Sequence, residues 1–595
     1  MCGIFGIVTE KEQPLGTILA EAAQRLTYRG YDSVGAATIS GNTIDLRKDV
    51  GRVKDVAAQY NFAEMSGSRG ITQLRWATFG APSQVNAQPH LDSDGDIVGA
   101  HNGNVVNNVE LRKLFMDEGL TVRSMNDGES CVHAVERYVN RGFDFIESIR
   151  RAYEDLQGDY SFVIGRIDDD KLYAIKKGSG LVVGIGEGFT CVSSDLPSIL
   201  PLTRKIVRLN DGEIVTLWHD RVELRSVVTG EVIAREPELV TETMESVQKG
   251  GYAHFMLKEI HEQSQVAREV LHMLAGSPDV AGVIETMKSA RNLYFIGCGT
   301  SYHACLLGAV YFAQLAGRPV IPVLAPQFGP QYAPTVNAQD VGLFVSQSGE
   351  TKDVLNALAL AEARGMTCFG LANVIGSTLT KATVCSLPLC CGYEISVPAT
   401  KTFTNQVVSF LYLAYRLAGR DTAELDQIPA LMEKTLEMTS AQAEKIAAEI
   451  NAWNDLYCLG YGATYPIALE GALKLKEITY AHCEGMLSTE FKHGPLSAVT
   501  KDYPILFAAG PGDIPLIVSG LNEVTCRGAR AIAIGQDDPR LHANASEVIV
   551  LPNSTPEIAP LLAVLPLQLI SYHMSVLRGY DPDFPRNLSK TLTVD

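Results

Sequence analysis

One segment of this chain occurs twice. Leu293-Tyr-Phe-Ile-Gly-Cys-Gly-Thr-Ser-Tyr-His303 is matched by Leu456-Tyr-Cys-Leu-Gly-Tyr-Gly-Ala-Thr-Tyr-Pro466, at an offset of 163 residues. That spacing is too long for a solenoid repeat and has the size of a domain. Each copy reads as an apolar strand, a Gly-x-Gly turn and the start of a helix. The second half is therefore expected to hold two similar doubly wound α/β domains, at 280–430 and 450–580. Ligands of such sheets sit beyond the carboxyl ends of the strands, where turn amides and helix N-termini favour an anion. Ahead of the repeat, Leu257, Ile260, Ala267, Leu271 and Leu274 form one helical stripe closed by Gly276. Together with the polar stretch Glu236–Gly251 this reads as a linker and connecting helix over 241–279. The tail 581–595 has no partner element of its own and must pack elsewhere.

Residues 1–240 have a different texture. Short β-like runs such as Ile4–Val8, Ile97–Ala100, Ser161–Ile167, Leu172–Ile175 and Glu213–Leu217 are bounded by Gly, Asn and Asp. Helical patterns at Leu15–Leu26 and Ser130–Asn140 lie between them. Mixed sheets covered by helices are expected.

Bulk properties narrow the function. A net charge of −18 and a pI near 5.2 argue against nucleic acid or an anionic membrane as partner. Any anionic ligand must then be held by local donors. The longest apolar stretch, Ile558–Leu577, is interrupted by Pro560, Pro566, Gln568, Ser571 and His573, so a buried helix is expected rather than a membrane span. The N-terminus lacks the pattern of a secretory signal. The 12 cysteines are scattered without Cys-x-x-Cys or His/Cys ligand spacing, which suits reduced thiols in a cytoplasmic protein and no metal site. Cys390–Cys391 reads as core filling.

Cys2 follows Met1 and precedes Gly3. Removal of Met1 leaves one residue with both a thiol and an α-amine, and an α-amine of pKa about 7.7–8.0 can take the thiol proton near neutrality. On position alone Cys2 reads equally as the start of a strand. Three further pieces accompany it: Tyr28-Arg-Gly-Tyr-Asp-Ser33, Arg75-Trp-Ala-Thr78 and His101-Asn-Gly103. In this order they resemble the glutamine amidotransferases with an N-terminal nucleophile, which implies a layered α/β/β/α glutaminase domain. Thiolate attack on a carboxamide creates an oxyanion that needs preorganised donors. The resemblance assigns these to the Asn102 side chain and the Gly103 backbone N–H. It gives the substrate carboxylate to Arg75, the ammonium to Asp127 in Met125-Asn-Asp-Gly128, and glutamine contacts to Trp76 and Thr78. The plain alternatives are a type I′ turn at Asn102–Gly103 and a surface ion pair at Arg75. Two positions depart from the family pattern: Phe79 and Gln88 stand where histidine is usual.

The second half offers an acceptor for released ammonia. Cys298-Gly-Thr-Ser301 and Ser346-Gln-Ser-Gly-Glu-Thr351 are turns dense in hydroxyls and N–H groups, able to cradle a phosphate dianion without much positive charge. The latter, after the apolar run Val341–Val345, resembles the sugar isomerase (SIS) domain. In the second copy, Lys474 and Glu477 are three apart on one helix face, either an exposed ion pair or a proton-transfer pair. His493 lies in Glu490-Phe-Lys-His-Gly-Pro495, and Lys590 closes Arg586-Asn-Leu-Ser-Lys590. Over essentially its full length the chain resembles the isomerising glutamine–fructose-6-phosphate aminotransferases. The resemblance implies proton transfer by Glu477 with Lys474 assisting, ring opening by His493, and a meeting of Lys590 with the open-chain sugar. It implies phosphate binding by Ser301, Ser346, Gln347, Ser348 and Thr351, with Thr300 and Val397 lining the sugar. It also implies no cofactor, an ammonia channel gated by Trp76, and a homodimer acting on glutamine and fructose 6-phosphate to give glucosamine 6-phosphate and glutamate. Pro326-Gln-Phe-Gly329 and Val397-Pro-Ala-Thr-Lys401 differ locally from the family pattern. The alternatives are a phosphosugar isomerase or deaminase, an aminotransferase for another ketose phosphate, and a phosphosugar-binding regulator. A Ser-Gly-Gly-x-Asp-Ser pyrophosphatase loop and a phosphoribosyltransferase-type Asp-Asp turn are both missing from the sequence.

Overall fold

The computed structural model describes the chain except residues 1, 31, 76–79, 179, 241–248, 250 and 591–595. It divides into two units, Met1–Gln248 with Ser589–Asp595, and Lys249–Leu588.

The first unit is built on two antiparallel sheets. One has eight strands in the order Glu238–Leu239, Lys205–Arg208, Val182–Ile185, Phe189–Ser193, Gly3–Pro14, Ser66–Arg75, Ser33–Ser40, Thr43–Val50. The other has seven, in the order Val232–Ile233, Val222–Ser226, Glu213–Leu217, Leu172–Lys177, Gly158–Arg166, Ile97–Val105, His90–Leu91. Alternation along the strands explains the stacking. Ile4 and Val8 from the first sheet share one core with Val98, Ala100, Val163 and Ala174 from the second. The opposite face of the second sheet, through Ile97, Phe162, Ile164 and Ile175, meets Val132, Val135 and Ile149 of the helices Asp127–Val139 and Phe145–Asp155. The helix Gly16–Arg25 covers the other face of the first sheet, where Gly70 leaves room for Leu19. The layers are thus helix, sheet, sheet, helix. Asn102 and Gly103 lie inside the strand Ile97–Val105, opposite Ser161 and Tyr160, and do not form the two-residue turn that their composition also allowed.

The second unit opens with the helix Phe255–Gly276 and contains two parallel five-stranded sheets. The first runs Ile321–Leu324, Leu293–Gly297, Val341–Ser346, Thr367–Ala372, Cys385–Pro388. The second runs His482–Leu487, Asp455–Gly460, Pro504–Ala508, Arg530–Gln536, Glu547–Leu551. Both have the order 2-1-3-4-5, so the repeated strand is the first strand of each sheet and lies beside the point where the winding reverses. The interval 430–450 between the two expected domains is part of one continuous helix, Ile428–Ile450. The helix Ala559–Leu577 is long and apolar enough to cross a membrane, but Leu561–Leu565 are fully buried and it packs on Ile428–Ile450 and Tyr465–Thr479. It is the core helix that the interrupted apolar run suggested. Pro326, one of the local departures, sits in the first turn of the helix Ala325–Gln331, where a missing N–H costs nothing.

Phe410 is fully buried, with its ring centroid 4.5 Å from that of Phe295 and its ring filling the space left by Gly308. Phe410→Ala is expected to cost about 3–5 kcal/mol, seen as a lower urea midpoint for the second unit. An unchanged midpoint would show that this contact is not part of its core.

Candidate active sites

In the first unit the strand Gly3–Pro14 runs antiparallel to Ser66–Arg75 with Gly3 opposite Leu74. Cys2 and Arg75 therefore end at the same edge of the sheet. Cys2 is buried, and its carbonyl accepts a hydrogen bond from Arg29 Nε at 3.1 Å. Arg75 is buried rather than paired at the surface. Its Nη2 donates to the Gly80 carbonyl at 2.6 Å. Burial lowers its pKa, and the nearby charges of Cys2, Asp127 and Asp32 act in the opposite direction. One cation thus faces the thiol and the acidic residue together.

Asn102 is 0% exposed, yet neither its Nδ2 nor its Oδ1 has a hydrogen-bond partner among the described residues. Leaving such an amide unsatisfied costs about 1–3 kcal/mol per polar group, so a site that holds it open needs a reason. Gly103 has φ +105°, and a Cβ there would lie 2.1 Å from the Asp159 carbonyl oxygen. Only glycine fits. Asp127, in the first turn of its helix, accepts from the Val105 N–H at 3.0 Å and lies 3.4 Å from His101 Nε2. Asn126 caps that helix by accepting from the Gly128 N–H at 2.9 Å. The structure therefore gathers Cys2, Arg75 and Asp127 and sets Asn102 and Gly103 just ahead of Val105. Trp76, Thr78 and Phe79 lie outside the described residues.

Sequence reasoning missed the support for Asp127. Glu129 accepts from the N–H groups of Arg123 at 2.8 Å and Ser124 at 2.6 Å, fixing the segment that leads into the helix. Burial pushes its pKa up, but His133, His90 and these donors outweigh that and hold it at about 2.

In the second unit, Thr300 and Ser301 open the helix Thr300–Ala316 after the strand Leu293–Gly297. The turn 346–351 follows the adjacent parallel strand Val341–Ser346 and leads into the helix Lys352–Glu362. Both lie at the winding reversal. The turn is held from within: Ser346 Oγ is 2.9 Å from Thr351 Oγ1 and accepts from the Gly349 N–H at 3.0 Å, while Ser348 Oγ accepts from the Glu350 N–H at 3.1 Å. Gly349 has φ +67°, and a Cβ there would fall 2.0 Å from Ser377 Oγ. Gln406 donates to Ser301 Oγ at 2.9 Å, and Gln347 Oε1 is buried without a partner among the described residues. Val397 is half-buried, its N–H donating to the Asp583 carbonyl at 2.9 Å. Lys401, at the end of its motif, begins the helix Lys401–Leu417 and is anchored to Glu262 at 2.8 Å.

The Lys474–Glu477 pair is not the exposed ion pair that its spacing also permitted. Lys474 is 0% exposed, with Nζ 2.5 Å from Glu477 Oε2, 3.4 Å from Glu470 Oε1 and 3.2 Å from Thr300 Oγ1. Burial alone would lower its pKa, but Glu470 and Glu477 outweigh that and raise it. Glu470 is buried too. It accepts from Thr300 Oγ1 at 3.1 Å and lies 2.8 Å from His303 Nδ1. Burial acts to raise its pKa, but Lys474 and His303 pull it below the ordinary carboxylate value. Glu470 and His303 were missed. Glu470 was within reach, standing four residues before Lys474 on the same helix face. His493 is exposed on the short turn Phe491–His493, and the structure gives its side chain no hydrogen bond to this group. Lys590 belongs to the first unit.

Comparison with known proteins agrees with this layout. A glutamine amidotransferase domain model matches residues 75–200, and an SIS domain model matches 286–416 and 449–578. An amidotransferase unit followed by paired SIS domains defines the class. The glutamine–fructose-6-phosphate aminotransferase (isomerizing) of Methanothermobacter thermautotrophicus is 39% identical over 602 residues, covering 100% of both chains. The protein of the same name from Pyrobaculum aerophilum is 38% identical with the same coverage. Among solved structures, the C-terminal domain of glucosamine-fructose-6-phosphate aminotransferase from Francisella tularensis covers 57% of this chain and 100% of its own, with 30% identity and a TM-score of 0.53. The chain belongs to the family of isomerising glutamine–fructose-6-phosphate aminotransferases.

The Glu129 carboxylate has a folded pKa of about 2, below the ordinary 4.5. Its stabilising effect is full above the unfolded value and is lost as pH falls from about 4.5 toward 2, a swing on the order of 3 kcal/mol. Glu129→Gln is expected to flatten the pH dependence of thermal unfolding of the first unit in that window. An identical pH profile would contradict the assignment.

Proposed function

We propose that this protein transfers the amide nitrogen of glutamine to fructose 6-phosphate and isomerises the product to glucosamine 6-phosphate, releasing glutamate. The observation that carries the reading is the contact of buried Lys474 with both Glu477 and Thr300. It sets a charged proton-handling pair against the start of a hydroxyl-rich crevice at the winding reversal of the first SIS sheet.

In the first unit the α-amine of Cys2 takes the thiol proton, and the thiolate adds to the carboxamide carbon of glutamine. The oxyanion forms beside Asn102 Nδ2 and the Gly103 N–H. Arg75 holds the substrate carboxylate, Asp127 its ammonium, and Trp76 and Thr78 complete the glutamine contacts. The intermediate collapses to a thioester and ammonia, and water then hydrolyses the thioester to glutamate. In the second unit Ser301, Ser346, Gln347, Ser348 and Thr351 hold the phosphate, with Thr300 and Val397 along the sugar. His493 opens the ring, since its imidazole exchanges protons near neutrality. The Lys590 amine condenses with the C2 carbonyl and is displaced by ammonia, leaving an imine at C2. Glu477 removes a proton from C1 and returns one to C2, converting the ketose imine into an aldose bearing a C2 amine. The Lys474 ammonium beside Glu477 keeps that carboxylate ionised and aimed. Ammonia passes between the sites through a channel gated by Trp76, and the working form is a homodimer.

The direct test incubates the protein with glutamine and a set of ketose phosphates and identifies the aminated product by mass spectrometry. Glucosamine 6-phosphate from fructose 6-phosphate is expected, and no aminated sugar from any of them would overturn the reading. Cys2→Ala is expected to abolish glutamine hydrolysis while sugar isomerisation persists, and joint loss of both would argue against separable sites. Glu477→Gln is expected to slow hydrogen exchange at C2 of the sugar by about a hundredfold or more. Unchanged exchange would remove Glu477 from this role.

A further inference from the structure

Gln88 stands where the family pattern has histidine, and the reaction above gives it no task. Its surroundings supply one. The short edge strand His90–Leu91 pairs antiparallel with Ile97–Val105, His90 opposite Gly99 and Leu91 opposite Val98. Extending that register by two residues brings position 88 opposite His101, the residue before Asn102. The backbone pairing has already stopped there. The Gln88 side chain takes its place: Oε1 accepts from the His101 N–H at 2.7 Å, and Nε2 donates to the His101 carbonyl at 3.1 Å. A primary amide carries the same acceptor and donor as a peptide unit, so it supplies one further rung of the ladder. On its other edge the strand is paired with Gly158–Arg166, His101 opposite Phe162. The rung therefore closes the free side of the strand at the point where Asn102 begins.

The clamp is built rather than incidental. Gln88 is 1% exposed. Lys48 Nζ donates to the carbonyls on either side of it, Ala87 at 2.6 Å and Pro89 at 2.9 Å. Gly35 and Gly128 leave the space it needs, since Cβ atoms there would lie 2.3 Å from its carbonyl oxygen and 2.5 Å from Oε1. Nε2 is also 3.4 Å from His101 Nδ1. With a donor facing Nδ1, the ring proton belongs on Nε2, which faces Asp127 Oδ2 at 3.4 Å.

We propose that Gln88 is a positioning residue for amide hydrolysis: its amide acts as a substitute rung that fixes the strand carrying Asn102. The inference rests on the glutaminase reading of the first unit. It also gives a physical account of the departure, because a neutral imidazole likewise offers one acceptor and one donor.

The test compares Gln88→Met, which keeps length and loses both hydrogen bonds, with Gln88→His, in the full-length enzyme with saturating ketose phosphate. An oxyanion donor acts in the transition state, so its misplacement lowers kcat and leaves KM nearly unchanged. Gln88→Met is expected to lower kcat for glutamine hydrolysis about tenfold or more at near-constant KM, with C2 hydrogen exchange in the second unit unaltered. Gln88→His is expected to stay within about threefold of the parent. Wild-type kcat in Gln88→Met, or an equal loss in both variants, would overturn the proposal. So would a loss of KM with kcat preserved. Hydrolysis by the parent protein, measured alongside, separates these outcomes from a failure of the glutaminase reading itself.

Discussion

A fully buried lysine organises the second unit. Taking an ammonium out of water costs several kcal/mol, recovered only when carboxylates and hydroxyls surround it with good geometry. Lys474 has Glu477 three residues on, Glu470 four residues back, and Thr300 from another helix. The two helices are equivalent: each follows the repeated strand of its own sheet. The same piece of the duplicated fold thus contributes from both copies, one giving hydroxyls and the other charges. Removal of any member leaves an uncompensated buried group, which ties the packing of the two copies to the chemistry.

The copies have diverged where the strands end. In the first, the winding reversal is lined by the hydroxyls of Thr300, Ser301 and the turn 346–351. In the second, the equivalent turn after Pro504–Ala508 carries Asp513, beside Gly462 of the opposing turn. Burial raises the Asp513 pKa. A carboxylate at that place repels a phosphate, so the duplication leaves a single crevice suited to a phosphosugar. The first unit meets its own demand differently. Its oxyanion donors lie inside a strand, which fixes their direction more tightly than a loop does.

Much of this was legible in the sequence. The repeat Leu293–His303 and Leu456–Pro466 located the first strand and helix of both parallel sheets, because a Gly-x-Gly turn after an apolar strand has few other uses. Period and composition identified Ala559–Leu577 as a core helix. What stayed hidden depends on what covers a face. Spacing showed that Lys474 and Glu477 share a helix side, but not that Thr300 and His303 close over it. Asn102–Gly103 has the composition of a hairpin turn, and only its pairing with Ser161 and Tyr160 makes it a strand with Gly103 at positive φ. Gln88 looked like a lost histidine because a side chain completing a ladder leaves no periodic signal.

The central claim is that one chain moves nitrogen from an amide to a sugar without releasing it. Glutamine labelled with nitrogen-15 in its side-chain amide, supplied with fructose 6-phosphate in an excess of unlabelled ammonium, measures this most directly. The account predicts that the glucosamine 6-phosphate formed carries the label. Product labelled only in proportion to bulk ammonium would contradict it.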